Sequence, residues 1–126
     1  MVDKRLRKLQ AMVQEIIPPT LKGNIDGSYL VIGWGSTRSV VEEALDVLQR
    51  KDISFLHFSQ VYPLHQGSLE LIKQAKRRII IENNATAQFG KLISLSTGIW
   101  FDEKILKYDG MPFMLEDVVE RLGALP

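Results

Sequence analysis

Tyr29-Leu30-Val31-Ile32-Gly33-Trp34-Gly35-Ser36-Thr37 (YLVIGWGST), followed by Val40, Val41, Ala44, Leu45, Val47 and Leu48, decides the fold class. Residues 29–34 are a nearly unbroken apolar run, as a strand buried on both faces requires. The apolar residues after it recur at helical spacing. Ser39-x-x-Glu42 fits a capping box, which satisfies donors of a first helical turn. The same strand–helix unit then repeats. Residues 53–58 (ISFLHF) read as a second strand, followed by a short helix carrying Leu69, Ile72 and Ala75. Residues 78–82 (RIIIE) read as a third strand, with a helix through Phe89, Leu92 and Ile93 that ends before Gly98. Residues 104–108 are a weaker fourth strand. Leu115, Val118, Val119 and Leu122 mark the last helix, with Gly123 at its C-cap.

Strand alternating with helix implies an α/β fold: three layers, α/β/α, around a mostly parallel sheet of about four to five strands. An order of 2-1-3-4 for these four strands puts the reversal between the first and the third. Ligand crevices in such sheets form outside the carboxyl ends of the strands, at that reversal. The loops carrying Gly35-Ser36-Thr37 and Asn83-Asn84 are therefore expected to share one surface. Before the first unit, Leu6, Leu9, Val13, Ile16 and Ile17 give residues 3–17 an amphipathic helical pattern, with Lys4, Arg5, Arg7 and Lys8 on the other faces. Pro18-Pro19 stops that helix. Residues 18–28 carry Pro, Gly, Asn and Asp and read as a linker. The division expected is a helix and linker over 1–28 and an α/β domain over 29–126.

Composition narrows the classes of function. In 126 residues there are 16 basic and 15 acidic side chains, for a net charge of +1, so nothing suggests bulk attraction to nucleic acid or an anionic membrane. Apolar runs fall far short of the ~20 residues of a membrane span, and no apolar h-region follows the charged residues 1–8. The sequence contains no cysteine, which excludes disulfides, thiol catalysis and cysteine-ligated clusters in this chain, and reads as intracellular, hence cytoplasmic. His57 and His65 are eight apart, a spacing that fits neither a helical metal pair nor a zinc finger; they read as structural or exposed.

The candidate ligand or interface residues are Gly35, Ser36, Thr37, Glu82, Asn83, Asn84, Gln88, Tyr108 and Asp109. Gly35-Ser36-Thr37 precedes a helix N-terminus, which is hospitable to anions. A tight turn with a cap explains the same residues equally well, since this is neither a P-loop nor a full GxGxxG. Glu82, Asn83 and Asn84 end a buried strand, and Gln88 follows one turn into the next helix. They fit a buried hydrogen-bond network as well as a partner or ligand contact. Tyr62-Pro63 and Tyr108-Asp109-Gly110 read as turns. Glu82 and Asp109 have no nucleophile or base–orienter set beside them, and Ser36 is not in a G-x-S-x-G elbow. Lys73, Lys76, Arg77 and Arg78 read as an exposed helix end, where cations are favourable. No catalytic, cofactor-binding or metal residue is assigned.

In order along the chain stand Arg5-x-x-Lys8-Leu9, Ile17-Pro18-Pro19, Gly33-Trp34-Gly35-Ser36-Thr37, Gln60-Val61-Tyr62-Pro63, Glu82-Asn83-Asn84 with Gln88, and Tyr108-Asp109-Gly110-x-Pro112-Phe113. This series resembles the alpha subunit of 2-oxoacid:ferredoxin oxidoreductases over essentially the whole sequence. The Trp-Gly-Ser and Glu-x-Asn-type motifs are more similar to the 2-oxoglutarate or broad 2-oxoacid branch than to the pyruvate-specific one. The resemblance implies a transketolase C-terminal-domain-like fold and the C-terminal domain of a longer alpha subunit. It implies an assembly that decarboxylates a 2-oxoacid on thiamine diphosphate with Mg, passes electrons through iron–sulfur clusters to ferredoxin, and transfers the acyl group to coenzyme A. Those cofactors would lie mostly in the beta subunit, not in this chain. The implied partners are the rest of the alpha subunit, the beta subunit, gamma or delta subunits and ferredoxin. The isolated domain would expose an apolar patch that includes Trp100 and Phe101, and would self-associate. The alternative is a free-standing α/β module holding a small anion or nucleotide at the 35–37/83–88 edge. The chain departs from its relatives at Ser39 and Ala87, where glycine is common, and at Met114, where a capping threonine is typical.

Overall fold

Side chains alternate across a strand, so each buried strand supplies two cores at once. In a computed structural model, residues 18–23, 29–59, 66–83, 87–107 and 111–126 are described. One sheet contains β1 (Thr20–Lys22), β2 (Tyr29–Trp34), β3 (Ile53–Phe58), β4 (Arg77–Glu82) and β5 (Glu103–Leu106), in the order β1-β3-β2-β4-β5. The helices are α1 (Arg38–Leu48), α2 (Gln66–Gln74), α3 (Gln88–Thr97) and α4 (Leu115–Gly123). Tyr29, Val31, Phe55, Ile79, Ile81 and Ile105 pack with Val41 and Leu45 of α1 and Val118 and Leu122 of α4. Leu30, Ile32, Leu56, Phe58 and Ile80 face the other way, onto Leu69 and Ile72 of α2 and Phe89 and Ile93 of α3. These are the three expected layers. The four parallel strands run β3-β2-β4-β5, the expected order, with β2 between β3 and β4. The amphipathic pattern over 3–17, Tyr62-Pro63, His65, Asn84, Tyr108 and Asp109 lie outside the described residues.

Three local readings need correction. Residues 20–22, read as linker, form β1 and pair antiparallel with β3, Leu21 opposite Leu56. Three residues are too few to show a period. What makes them a strand is the outer edge of β3, whose N–H and C=O groups need partners. The capping box at Ser39 does not form. A 3-10 turn at Gly35–Thr37 runs straight into α1, so Ser39 is already inside the helix and Glu42 pairs with Arg38 at 2.9 Å instead. Gly123 is the last helical residue rather than a left-handed cap. A Cβ there would come within 3.2 Å of Leu48, so the glycine lets α4 approach α1 closely.

At the start of α4, Asp117 accepts from the Met114 N–H at 3.3 Å, half of a reciprocal cap. Met114 is half exposed, and its thioether is a poor acceptor for the other half. Met114→Thr is expected to raise stability by about 1 kcal/mol, read as a shift in the urea midpoint at unchanged slope.

Arg50 ties the end of α1 to the end of the described chain. Its guanidinium donates to the carbonyls of Leu122 (3.3 Å), Leu125 (2.8 Å) and Pro126 (3.3 Å), and also holds Asp52. The hydrogen bond from Arg50 keeps the Asp52 carboxyl below the usual carboxylate range. A depressed folded-state value contributes stability above the unfolded pKa of about 3.9, and that contribution is lost as pH falls through the folded value. The melting temperature should therefore drop as the pH falls below about 4, and Asp52→Asn should flatten that part of the drop.

Candidate functional site

β2 and β4 are neighbours, so the loops at their carboxyl ends meet. Gly33 makes the meeting close. It is buried between β3 and β4, and Thr37 folds back over it, its hydroxyl donating to the Trp34 carbonyl at 3.1 Å. A Cβ at Gly33 would stand 2.8 Å from Thr37 Oγ1, 3.0 Å from Phe55 Cε1 and 3.1 Å from Ile81 Cγ2. Gly35 next takes φ +65°, with nothing within 4 Å of a Cβ built there. Thr37 is buried, whereas Gly35 and Ser36 are exposed.

Glu82, at the end of β4, is fully buried. Its Oε1 accepts from the Trp34 indole N–H at 2.9 Å and the Phe89 N–H at 2.7 Å, and its Oε2 from the Gly90 N–H at 3.0 Å. The carboxylate therefore caps α3 from a different element. The residue at the N-cap position, Ala87, has no side-chain oxygen and sits at φ 51°, a region where glycine would be unstrained. Helix N–H groups and the helix dipole offset the cost of burying this charge. The indole bond fastens the β2 end to the β4 end. Of the two readings left open for Glu82, the buried hydrogen-bond network is the one found.

Asn83 closes the next connection. With its amide oriented to satisfy both groups, Nδ2 donates to the carbonyls of Lys107 (2.8 Å) and Met111 (3.2 Å), which flank residues 108–110. Ser36, Thr37, Ser39, Asn83, Pro112 and Phe113 surround a crevice of about 110 Å³. The surface expected at the reversal thus exists, and it brings together Ser36, Thr37 and Asn83. Gln88 is exposed at the first position of α3, and Glu82 lies beneath the surface rather than on it.

His57 has a part that its spacing in the sequence does not reveal. It is 4% exposed on β3, and its Nε2 lies 2.8 Å from the Gly35 carbonyl. A carbonyl only accepts, so Nε2 is the donor, and Nδ1 is buried with no hydrogen-bond partner among the described residues. Its structural role is to hold the left-handed Gly35 in place. The only sequence signal was a polar residue inside an otherwise apolar strand.

The site does not fit the cofactors implied for the assembly. Among the described residues no three of His, Cys, Asp or Glu converge on one point, and the Glu82 oxygens are taken by three N–H donors. The chain has no thiolate to ligate a cluster. Arg38, at the start of α1, is paired with Glu42. The arrangement offers hydroxyls and amides around a small crevice and a rigid junction between three loops. No helix among the described residues is long and apolar enough to cross a membrane.

No protein-family model matches the sequence. The chain is 29% identical over 131 residues to the 2-oxoacid:ferredoxin oxidoreductase subunit alpha of Saccharolobus solfataricus, covering 99% of this chain and 21% of that protein. It is 30% identical over 129 residues to 2-oxoacid:ferredoxin oxidoreductase 1, subunit alpha, of Aeropyrum pernix, covering 95% of this chain and 20% of the relative. The 2-oxoglutarate:ferredoxin oxidoreductase of Magnetococcus marinus, solved with 2-oxoglutarate, coenzyme A and succinyl-CoA bound, superposes with a TM-score of 0.83 at 23% identity, over 95% of this chain and 22% of that one. The alpha chain of a probable 2-oxoacid ferredoxin oxidoreductase from Thermoplasma acidophilum superposes with a TM-score of 0.57 at 24% identity, over 84% of this chain and 94% of that chain. The chain therefore corresponds in sequence and in fold to one domain of the alpha subunits of 2-oxoacid:ferredoxin oxidoreductases, and spans about a fifth of the length of the curated relatives it matches.

Proposed function

We propose that the chain serves as a structural and interface domain in the alpha subunit of a thiamine-diphosphate-dependent 2-oxoacid:ferredoxin oxidoreductase, with 2-oxoglutarate as the 2-oxoacid. The observation that carries this reading is the alignment with curated alpha subunits across 95–99% of the chain. The choice of 2-oxoglutarate is supported by the ligands of the Magnetococcus marinus enzyme and by the Trp34-Gly35-Ser36 motif. In this reading the domain is the C-terminal part of the subunit, with residues 29–126 and the added edge strand β1 as its α/β unit, working in the cytoplasm. On the same reading thiamine diphosphate, Mg and the iron–sulfur clusters lie outside this chain, mostly in the beta subunit. When bound there, they supply the decarboxylation and the electron path to ferredoxin.

What this chain does follows from its geometry. Glu82, Trp34 and Asn83 lock the strand-end loops into one rigid surface, and Ser36 and Asn83 are presented there to neighbouring domains. The alternative, a free-standing α/β module holding a small anion or nucleotide at the 35–37/83–88 edge, is less well supported for a nucleotide, because ligand pockets usually hold ~300–1,000 Å³, against about 110 Å³ here. The deciding experiment is anaerobic affinity isolation of the native protein from its source cells. The eluate is assayed for viologen reduction dependent on 2-oxoacid and coenzyme A. Expected are a cluster-bearing partner and activity greatest with 2-oxoglutarate. A lone, inactive protein would defeat the proposal, and greater activity with another 2-oxoacid would defeat the substrate assignment. The isolated chain should show no activity.

A further inference from the structure

Away from the strand-end crevice, a groove of about 400 Å³ lies between α3 and β5, lined by Lys91, Ser94, Leu95, Trp100, Phe101 and Lys104. Leu95 is 87% and Trp100 80% exposed, more than any other large apolar side chain described. Of the two residues expected in an exposed patch, Trp100 is exposed, whereas Phe101 is half-buried and packs on the core beneath.

The groove is built rather than loose. Arg78 donates to the Trp100 carbonyl (3.2 Å) and to the last carbonyls of α2, at Ile72 (2.7 Å) and Lys73 (3.1 Å). Its backbone N–H donates to Asp102 Oδ2 at 2.8 Å, and the Asp102 N–H returns to the Arg78 carbonyl at 2.9 Å. The indole is thus held out on a fixed loop, which lowers the entropy cost of binding. β5 is the edge of the sheet and pairs only with β4 among the described strands. Lys104 on that edge would discourage strand pairing if it stood alone. Beside Leu95 and Trp100 it instead forms one rim of an apolar slot, with Lys91 as another. Among the described residues neither lysine has a carboxylate partner. A second copy of this groove is a poor occupant, because a two-fold contact would bring four ammonium groups together.

We propose that this groove docks an extended acidic segment of another subunit, added to the edge of β5 that no described strand pairs with. Its apolar side chains would lie on Trp100 and Leu95, and its carboxylates would meet Lys91 and Lys104. Main-chain bonds to an edge strand give such a contact affinity, and the flanking pockets and charges give it selectivity. The inference rests on the reading of this chain as an interface domain.

The test uses the native assembly, isolated anaerobically, with a water-soluble carbodiimide, which joins an ammonium to a carboxylate in contact with it. Expected is a link from Lys91 or Lys104 to an Asp or Glu of a different polypeptide. The double variant Leu95→Glu/Trp100→Glu should lower recovery of that polypeptide at least tenfold, with the unfolding temperature unchanged because both side chains are exposed. Links to a second copy, links within the same polypeptide, or no link with undiminished recovery would each overturn the docking site. Redox activity of the same eluate keeps the two proposals apart. Activity with partners present but no link defeats the groove alone, whereas neither partners nor activity defeats both.

Discussion

Replacing Glu82 by alanine is expected to destabilise the domain by about 3–5 kcal/mol, seen as a large fall in the urea midpoint. The carboxylate is fully buried and accepts three N–H groups, from Trp34, Phe89 and Gly90. Alanine would leave all three donors without this acceptor in a dry interior, where each costs on the order of 1–3 kcal/mol less any relaxation. Such a loss is a large part of the ~5–15 kcal/mol that holds a domain together. Glu82→Gln should fall between the two, because one amide oxygen still accepts while the NH₂ is turned toward an N–H donor. Trp34 reports the mechanism directly. Its fluorescence should shift in both variants as the indole loses its carboxylate, while Trp100, exposed in another part of the fold, stays constant. A loss below 1 kcal/mol for Glu82→Ala would mean that the network does not bind the loops together.

Gly33→Ala should cost about 3 kcal/mol, and Gly35→Ala only about 1 kcal/mol, although the two are two residues apart. At Gly33 the added methyl meets Thr37, Phe55 and Ile81 within 3.1 Å, two of them core side chains with little room to move. At Gly35 there is open space, and the cost is only that of placing a side chain at φ +65°. Differential scanning calorimetry of both variants checks the ranking. Equal losses would show that backbone conformation, not packing, is what glycine supplies at Gly33. Because Thr37 is the nearest contact, Gly33→Ala should also disturb the Ser36 surface, and partner recovery should fall with it.

The candidate residues were legible in unequal degree. The loops Gly35-Ser36-Thr37 and Asn83-Asn84 were read as one surface from the strand pattern, and the β2–β4 pairing brings Ser36, Thr37 and Asn83 together. Glu82 was picked out by its density of polar neighbours, but its role was not legible. Three donors converge on it from residues 34, 89 and 90, and only the fold brings those together. His57 was read as structural or exposed, but its partner was not legible, because the Gly35 carbonyl it meets lies 22 residues away. The capping box at Ser39 was misread because local rules locate a helix start only when the preceding turn is open. Here a 3-10 turn had already begun the helix.

The class of fold was legible in the chain: period-2 and period-3.6 apolar spacing is carried by near neighbours, and strands alternating with helices imply three layers. The strand order was supposed rather than read, and which helices share a face is set by long-range contacts. Tertiary structure alone decided what closes the sheet and what caps its helices. β1 is a strand because β3 has an edge, α3 is capped because Glu82 reaches it from β4, and the terminal residues are held because Arg50 reaches their carbonyls. Each of these satisfies a polar backbone group with a partner distant in sequence. Burial makes such satisfaction obligatory without specifying who provides it, so no local pattern could name the partner.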